Sequence, residues 1–394
     1  MQNHVMNTYN RLPVSFCRGE GVWLWGHNGK KYLDATSGYG VCGLGHCHHR
    51  ITQKIISQSQ KLIHVSNLFE IEEQVQLAEQ LAEKSGLDYC YFCNSGAEAN
   101  EAAIKLVRLY AREHDFTQSC ILVLEKGFHG RTFGALSATD YPKIKNQFKP
   151  LLPDFKVIPI NDLNAVRMYL SKKNQVVGIL VESIQGVGGV RVLEKDYVTS
   201  LRKLCDEHNV LLIFDEVQTG IGRTGSFFSY QQYNIMPDIV TCAKGLANGL
   251  PIGVCLAKKS VARAFTPGAH GTTFGGGPLV TSVAREVLNT FDDLNLLSQI
   301  RENSNYLITE LMGQLGSYDF VVDIRGMGFM IGIELSISAK SIVDIALKNC
   351  LLVTSVAGNV IRLLPPLIIT RSDINFLLEL LIKTFNEVRQ SLCI

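Results

Sequence analysis

The sequence lacks a long apolar run and lacks any block of like charge. No stretch of its 394 residues approaches the roughly 18 apolar residues that cross a bilayer, and residues 1–11 are polar, without an apolar signal segment. The formal net charge is only +2, so neither nucleic acid nor a membrane surface is indicated as a partner. We therefore expect a cytoplasmic protein that acts on small molecules.

A disulfide framework and a metal site are also not expected. The chain has 11 cysteines, an odd number, which suits reduced thiols in a chain without a secretion segment. Cys90 and Cys93 have a zinc-like spacing, but two positions three apart on a strand face opposite sides, and no second CxxC pair is present. We interpret these two cysteines as core thiols.

The sequence does contain an alternation of short apolar runs with longer amphipathic stretches. The runs at residues 120–124, 176–181, 210–214 and 239–242 are rich in Val, Ile and Leu, which is typical of parallel strands covered on both faces. Residues 71–84 and 196–208 have apolar residues at helical spacing. This alternation predicts an α/β domain in the centre of the chain.

The two ends of the chain have a different pattern. Residues 21–25 and 31–33 flank Asn28-Gly29, which predicts a β-hairpin outside the main sheet. Helical stretches at 296–313 and 371–391 enclose β-like segments at 328–335 and 360–364, which predicts a smaller α+β unit. A length of 394 residues also exceeds what one core usually supports.

The strongest chemical signal is an Asp and a Lys that each follow an apolar run. Asp215 ends the run at 210–214, and Lys244 follows the run at 239–242. Because ligands of α/β sheets bind at the carboxyl ends of strands, these side chains should meet in one crevice. A buried lysine beside another cation becomes a nucleophile at neutral pH. Such a lysine suits a Schiff base with pyridoxal phosphate, whose pyridine nitrogen a carboxylate would keep protonated.

Three further segments could complete such a site. Ser95, with Glu98 three residues later, has the form of a capping box, and Gly96 and Ala97 leave the first amides of that helix open to an anion such as a phosphate. Phe128 could stack on a flat ring, and Arg131 could bind a carboxylate. The glycine-rich loop at 271–277 contains the hydroxyls of Thr272 and Thr273.

Taken in order, these motifs resemble the class III pyridoxal-phosphate aminotransferases, and within them the acetylornithine aminotransferase branch. The resemblance covers nearly the whole chain and rests on the segments at 95–101, 128–132, 215–220, 243–245 and 272–275. It implies the aspartate-aminotransferase-like fold type I. It also implies a large pyridoxal-phosphate-binding domain at 51–290, and a smaller α+β domain formed by 1–50 and 291–394.

The resemblance also implies a role for each matching residue. Lys244 would bind pyridoxal 5'-phosphate covalently and move the substrate proton, and Asp215 would bind the pyridine nitrogen. Gln218 would contact the ring hydroxyl, and Phe128 and Val217 would contact the two ring faces. Ser95, Gly96 and Ala97 would bind the phosphate, joined by the partner subunit's Thr273. Arg131 and Thr272 would bind an acylated substrate, and Arg362 would bind the α-carboxylate of glutamate. A homodimer with shared active sites is implied.

Three positions depart from the family pattern. Val187 stands where a glutamate usually masks the glutamate-binding arginine, so Arg362 needs another partner. Tyr39 occupies a position at which ornithine δ-aminotransferases have tyrosine, and His49 stands where proline is usual. The expected reaction transfers the terminal amino group of N2-acetylornithine or N-succinyl-diaminopimelate to 2-oxoglutarate, in arginine or lysine biosynthesis. Ornithine remains an alternative donor.

Other readings of the sequence remain open. Residues 220–225 match GxGxxG after a strand, which would suit a nicotinamide-dependent oxidoreductase, but an aromatic segment follows where that motif requires a helix. An aminomutase would use the same lysine and return the amino group to the same carbon skeleton. A binding protein that keeps the fold without turnover is a third alternative, and the presence of both Lys244 and Asp215 argues against it.

Overall fold

The computed structural model describes residues 4–114, 116–172 and 175–392. Its strands are β1 Phe16–Glu20, β2 Trp23–Gly26, β3 Lys31–Asp34, β4 Tyr89–Cys93, β5 Cys120–Leu124, β6 Phe155–Ile158, β7 Val176–Val181, β8 Ile184–Gln185, β9 Arg191–Val192, β10 Leu211–Asp215, β11 Ile239–Cys242, β12 Gly253–Ala257, β13 Val321–Met327, β14 Met330–Leu335, β15 Leu351–Leu352, β16 Thr354–Val356 and β17 Val360–Leu363.

The helices alternate with the strands through the centre of the chain. They are α1 Ser37–Gly40, α2 His49–Ser59, α3 Glu72–Ser85, α4 Gly96–Glu113, α5 Phe133–Ala138, α6 Pro142–Lys145, α7 Leu163–Leu170, α8 Lys195–His208, α9 Lys259–Ala262, α10 Pro278–Asp293, α11 Leu296–Leu315, α12 Ala339–Lys348 and α13 Arg371–Leu392, with 3-10 turns at Asn146–Phe148, Ser229–Tyr233 and Lys244–Ala247. The helices predicted at 71–84, 196–208, 296–313 and 371–391 correspond to α3, α8, α11 and α13.

The central sheet has seven strands in the order β4-β12-β11-β10-β7-β5-β6. The four predicted apolar runs form β5, β7, β10 and β11, which are parallel to one another, and only β12 runs antiparallel to its neighbours. Leu211 and Ile213 of β10 enter one core, whereas Leu212 and Phe214 enter the other. Apolar side chains are therefore buried on both faces of the sheet, which is why these strands read as continuous apolar runs. The predicted α/β class is confirmed.

The predicted hairpin near the start of the chain is β2 and β3, which pair antiparallel. Asn28 Oδ1 accepts a hydrogen bond from the Lys30 amide at 3.1 Å, and Gly29 takes a φ of 76°, which a glycine adopts without the steric penalty of a side chain. The hairpin lies in a separate four-stranded sheet with β1 and β15. Leu351 of β15 pairs with Leu33 of β3, so the beginning of the chain joins its C-terminal part.

The C-terminal part contains a second four-stranded antiparallel sheet, β13-β14-β17-β16. Helices α11 and α13 pack on each other, and α12 packs on α13 and on β16 and β17. The division into 1–50, 51–290 and 291–394 stays a prediction, which the pairing of β3 with β15 supports.

The structure bears on membrane-spanning helices, metal sites and disulfides. In the part of the chain that the structure describes, no helix combines the length and the apolar character needed to cross a bilayer. Across the same residues no group of three or more His, Cys, Asp or Glu side chains is suited to a metal ion, and the cysteines are free thiols. Burial raises the pKa of both Cys90 and Cys93 to about 12, as expected for unreactive core thiols.

Candidate active site

A cavity of about 440 Å³ lies where β10 and β11 end and α4 begins. Parallel neighbours β10 and β11 deliver Asp215 and Lys244 to the same edge of the sheet, as their positions after two apolar runs predict. The predicted site residues that line this cavity are Ser95, Gly96, Ala97, Phe128, Arg131, Asp215, Val217, Gln218 and Lys244. Sequence segments far apart in the chain thus converge on one space.

Asp215 forms the buried end of the cavity and is held on both oxygens. Its Oδ2 accepts hydrogen bonds from Asn100 Nδ2 and from His129 Nδ1, each at 2.8 Å, and its Oδ1 accepts from the Val217 amide at 3.0 Å. Asn100 is itself fixed, because its Oδ1 accepts from Thr241 Oγ1 at 2.7 Å. Three hydrogen-bond donors thus fix the orientation of this buried carboxyl group.

His129 and Glu182 are buried titratable groups beside Asp215. Burial lowers the pKa of His129, but the hydrogen bond and charge of Asp215 outweigh it, and the net pKa of this imidazole is raised. Burial raises the pKa of Glu182 to about 7, against the opposing effect of His129. Glu182 Oε1 accepts the Phe128 amide at 2.8 Å. The ring of Phe128 is therefore positioned through a buried acid.

Lys244 opens a 3-10 turn directly after β11 and takes a left-handed φ of 48°. Burial lowers the pKa of this amine to about 8; Arg362 acts in the same direction, and Asp215 and Glu182 oppose it. A lysine with this pKa has a substantial neutral fraction near pH 7 to 8, which an ordinary lysine does not have. The electrostatic condition that the sequence suggested for a nucleophilic lysine is present in the folded chain.

The start of α4 forms another wall of the cavity. Ser95 Oγ accepts the Glu98 amide at 3.2 Å, whereas Glu98 Oε2 accepts the amide of Asn94 at 2.5 Å. The predicted capping box is therefore shifted by one residue on the glutamate side. Gly96 and Ala97 contribute first-turn amides, which have no acceptor within a helix and can bind an anion. A Cβ on Gly96 would lie 2.5 Å from Val217 Cγ1, so the close approach of Val217 requires glycine there.

Arg131 and Arg362 are two guanidinium groups in different settings. Arg131 is exposed at the cavity wall, with its Cζ 5.7 Å from the centre of the Phe128 ring. Arg362 on β17 is only 1% exposed and is not part of the cavity wall itself. It touches the wall through Gln218, whose Oε1 accepts from Arg362 Nη1 at 2.9 Å. Arg362 therefore lies one side chain behind the surface of the cavity.

The partners of Arg362 are neutral oxygens. Its Nη1 also donates to the Gly186 carbonyl at 2.8 Å, and its Cζ lies 5.3 Å from the centre of the Tyr39 ring. None of the ion pairs among the described residues includes Arg362, and burial lowers its pKa to about 10. With Val187 in place of a glutamate, the cation is covered by a carbonyl, an amide oxygen and an aromatic ring.

Thr272 and Thr273 do not line the cavity of their own chain. Thr272 Oγ1 accepts from Asn94 Nδ2 at 3.1 Å, which places it behind the wall. Thr273 is exposed. The predicted contact of Thr272 with an acylated substrate stays a prediction. The predicted contribution of the partner subunit's Thr273 stays a prediction.

Comparison with known proteins identifies the family. The class III aminotransferase family profile matches residues 5–385. The chain belongs to the class III aminotransferases. It is 45% identical over 371 residues to the acetylornithine aminotransferase of Nitrosomonas europaea, covering 94% of each chain. Two solved structures are similar at 32% identity. The ornithine aminotransferase of Toxoplasma gondii has a TM-score of 0.95, and the match covers 98% of this chain and 93% of that one. The acetylornithine aminotransferase of Elizabethkingia anophelis has a TM-score of 0.87, and the match covers 98% of this chain and 96% of that one.

A class III aminotransferase uses pyridoxal 5'-phosphate, and the residues of the cavity fit this cofactor. A carboxylate held in place by Asn100 and His129 suits a protonated pyridine nitrogen. The first-turn amides of α4 suit a phosphate. The lowered pKa of Lys244 suits covalent attachment to an aldehyde. The pyridine nitrogen, the phosphate and the aldehyde of the cofactor thus each have a complementary group in the cavity.

The residues that sequence reasoning missed are Asn100, His129 and Glu182. Asn100 and His129 lie inside the recognised motifs, yet no pattern within those motifs says that they donate to a carboxylate 115 and 86 residues further along the chain. Glu182 follows the apolar strand β7 in the same way that Asp215 ends β10. An acidic residue at the end of a third apolar run was the available signal.

The dinucleotide-like motif of this class III aminotransferase lies away from the cavity. A Cβ on Gly222 would lie 2.3 Å from Phe291, and one on Gly225 would lie 2.9 Å from Arg301, so both glycines pack against α10 and α11. Within the described residues no α-helix follows the motif directly, and Ser229–Tyr233 forms a 3-10 turn there instead. The oxidoreductase reading is wrong.

Proposed function

We propose that this aminotransferase moves the terminal amino group of N2-acetylornithine to 2-oxoglutarate and releases a semialdehyde and glutamate. The observation that carries the proposal is a cavity that combines the amine of Lys244, with its lowered pKa, with the guanidinium of Arg131 at the wall and that of Arg362 behind Gln218. Both substrates of this reaction carry carboxylates, which bidentate guanidinium groups bind well. The relatives named as acetylornithine aminotransferases support the choice of donor.

In this proposal the protein holds the cofactor at each end. Bound pyridoxal phosphate supplies a conjugated electron sink for the carbon next to the reacting nitrogen. Asp215, oriented by Asn100 and His129, keeps the pyridine nitrogen protonated. The amides of Gly96 and Ala97, with Ser95 at the helix cap, hold the phosphate. Phe128 and Val217, which line the cavity, would hold the ring between them, and Gln218 would contact the ring hydroxyl.

Lys244 has two tasks in the proposed reaction. Its amine would hold the cofactor, and the same nitrogen would accept the proton from the reacting carbon of the substrate and return it. A pKa of about 8 leaves this amine able both to accept and to give up a proton near neutral pH. The amino group enters from the donor in one half-reaction and leaves on the oxoacid in the other.

Arg131 and Arg362 bind the two kinds of carboxylate. Arg131, exposed at the wall, binds the acylated donor so that its terminal amine faces Lys244. Arg362 binds the α-carboxylate of glutamate or 2-oxoglutarate, so that the α-carbon faces Lys244 instead. Two separate cations therefore allow one lysine to act on a terminal amine in one half-reaction and on an α-amine in the other.

Ornithine is the second candidate donor, and one observation favours it. Tyr39 is 59% exposed, and its ring lies 5.3 Å from Arg362 Cζ, where its hydroxyl could meet the free α-amino acid end of ornithine. The similar structure from Toxoplasma gondii is described as an ornithine aminotransferase. N-succinyl-diaminopimelate offers the same carboxylate and free amine, and would move the enzyme from arginine to lysine biosynthesis.

We also propose that the enzyme is a cytoplasmic homodimer with shared active sites. Leu68, Phe69 and Phe274 are 88%, 65% and 66% exposed. Phe274 packs against His64 with ring centres 5.4 Å apart and ring planes inclined at 57°, and it follows Thr273 directly. Apolar side chains clustered this way favour a protein interface over contact with water, and covering them would bring Thr273 near a second chain.

A panel of amine donors assayed against 2-oxoglutarate tests the proposed function. We expect kcat/KM to be highest for N2-acetylornithine, with glutamate formed in equal amount to the semialdehyde. A higher value for ornithine or for N-succinyl-diaminopimelate would replace the donor while keeping the enzyme class. Retention of the amino group on the donor skeleton would indicate an aminomutase, and a borohydride-sensitive visible band without any turnover would indicate a binding protein.

A further inference from the structure

Two hydrogen-bond donors meet on the loop between β8 and β9. Arg362 Nη1 donates to the carbonyl of Gly186 at 2.8 Å, and the hydroxyl of Tyr141 donates to the carbonyl of Val187 at 2.9 Å. Gly186 and Val187 are consecutive residues, whose Cα atoms are about 3.8 Å apart across a trans peptide. The phenol of Tyr141 and the guanidinium of Arg362 therefore flank the same short piece of backbone.

Tyr141 is held by the loop that carries Phe128. The Asp140 amide donates to the Gly127 carbonyl at 2.8 Å, and Asp140 Oδ2 accepts the Lys126 amide at 2.9 Å. Pro142 then begins α6, which restricts the backbone on the other side of Tyr141. The hydroxyl is thus positioned before any substrate binds, which lowers the entropy that binding must overcome.

The electrostatic surroundings keep the hydroxyl of Tyr141 protonated. Burial raises the pKa of Tyr141, Glu182 acts in the same direction, and Arg362 opposes them. Its present acceptor is a neutral carbonyl, and hydrogen bonds to an ionised carboxylate are roughly twice as strong. The buried Nε of Arg362 has no hydrogen-bond partner among the residues that the structure describes. Both donors would gain by contact with an anion.

We propose that Tyr141 is a specificity-determining residue that donates a hydrogen bond to the substrate carboxylate held by Arg362. The inference rests on the proposed role of Arg362. It adds a second, neutral donor, the hydroxyl of Tyr141, which bonds to the carbonyl next to the one that Arg362 contacts. The hydroxyl turns from the Val187 carbonyl to the carboxylate when 2-oxoglutarate or glutamate binds. Discrimination for an α-carboxylate then depends on a guanidinium and a phenol together.

The test compares Tyr141→Phe with the parent holoenzyme. We expect the dissociation constant of glutarate, a dicarboxylate that cannot react, to rise about tenfold in calorimetric titration. The KM for 2-oxoglutarate should rise by the same factor while kcat changes little, because the hydroxyl acts on binding and not on the reacting atoms. The KM for N2-acetylornithine should stay unchanged, since its carboxylate binds at Arg131.

Tyr306→Phe is the matched control, because it removes a hydroxyl that bonds to Asn375 at 2.8 Å, away from the loop between β8 and β9. It should alter neither constant. Unchanged glutarate binding in Tyr141→Phe would overturn the inference. So would an equal rise in the KM of both substrates with a lower melting temperature, which would show a purely structural role.

Arg362→Met separates this inference from the proposed function. If Arg362→Met weakens glutarate binding and Tyr141→Phe does not, only the role of Tyr141 fails. If neither substitution affects glutarate binding, the α-carboxylate binds elsewhere and the proposed role of Arg362 fails as well.

Discussion

Single buried polar residues control the chemistry of the cavity at the smallest scale. Asp215 is held by Asn100 and His129, and Lys244 is made less basic by burial and by Arg362. Arg362 in turn is covered by neutral oxygens. Because neighbours distant in sequence set the orientation and pKa of each group, a substitution at one position changes the charge or proton affinity of another.

Lys244→Ala should abolish turnover and leave cofactor binding partly intact. The variant loses both the amine that attaches the cofactor and the group that moves the substrate proton, so kcat should fall by about 10⁴-fold. The phosphate would still bind at the start of α4. Steady-state rates and cofactor titration of the apoenzyme measure the two effects, and near-normal activity would contradict the assignment of Lys244.

Asp215→Asn should bind the cofactor and lose most of the chemical step. The amide oxygen can still accept from Asn100 and His129, but the negative charge that keeps the pyridine nitrogen protonated is gone. We expect kcat to fall by about 100-fold or more. A rate within a few-fold of the parent would show that Asp215 is not the partner of that nitrogen.

Val187→Glu should increase the preference for the terminal amine of an acylated diamino acid over glutamate. A carboxylate at this position can pair with Arg362 and compete with the α-carboxylate of glutamate. The ratio of the two specificity constants should shift by about 1–3 kcal/mol, as for other charge-assisted contacts. A ratio equal to that of the parent would mean that Gly186, Gln218 and Tyr39 already screen Arg362 fully.

At the scale of elements, the cavity is made by the ends of strands and by short loops. The loop between β8 and β9 is tightly packed, since a Cβ on Gly186 would lie 2.3 Å from Gln218 Oε1. The same oxygen accepts from Arg362. The absence of a side chain at Gly186 is therefore what allows the carbonyl and Gln218 to cover one guanidinium nitrogen together.

Gly186→Ala tests this packing. We expect the free energy of unfolding to fall by about 1–3 kcal/mol, as for other overpacked sites, and the KM for 2-oxoglutarate to rise because Gln218 must move. Gly313→Ala is the control, since it lies in α11 with no atom near its would-be Cβ, and should stabilise slightly. Equal stability of both variants would show that the loop relaxes freely.

At the scale of the whole molecule, buried cations connect the separate sheets. Arg223 is 2% exposed and donates to the carbonyls of Phe329 at 3.2 Å and Pro365 at 2.6 Å. Its Nη2 reaches Ser37 Oγ at 3.4 Å. Arg223 thus ties the central domain to both ends of the chain. Burial, with no compensating carboxylate among the described residues, lowers its pKa to about 9.

The free energy of unfolding should decline from acid to neutral pH because Glu182 ionises. Its folded pKa of about 7 lies above its ordinary value of 4.5, so between these values the folded state binds the proton and the unfolded state does not. The stabilisation is fully present below pH 4.5 and is lost as the pH rises through 7. Glu182→Gln should reduce the change in the free energy of unfolding across this pH range by about 1–3 kcal/mol, measured by denaturant unfolding of the apoenzyme. An unchanged slope would assign the decline to other groups.

Sequence alone determined the fold class, the main strands and the positions of Asp215 and Lys244, because these depend on local patterns. An apolar run buried on both faces looks the same wherever it lies, and a residue that follows such a run ends at the carboxyl edge of the sheet. The resemblance to the family added the remaining residues of the site. It did not place β12, whose antiparallel direction depends on which strands it joins.

Only the tertiary structure decided how the site residues act on one another. The pairing of Asn100 and His129 with Asp215, the covering of Arg362 by Gly186, Gln218 and Tyr39, and the position of Thr272 behind Asn94 join segments far apart in the chain. Proton affinities follow from such contacts, because burial and neighbouring charges, not residue type, set whether Lys244 is neutral and whether Glu182 holds its proton.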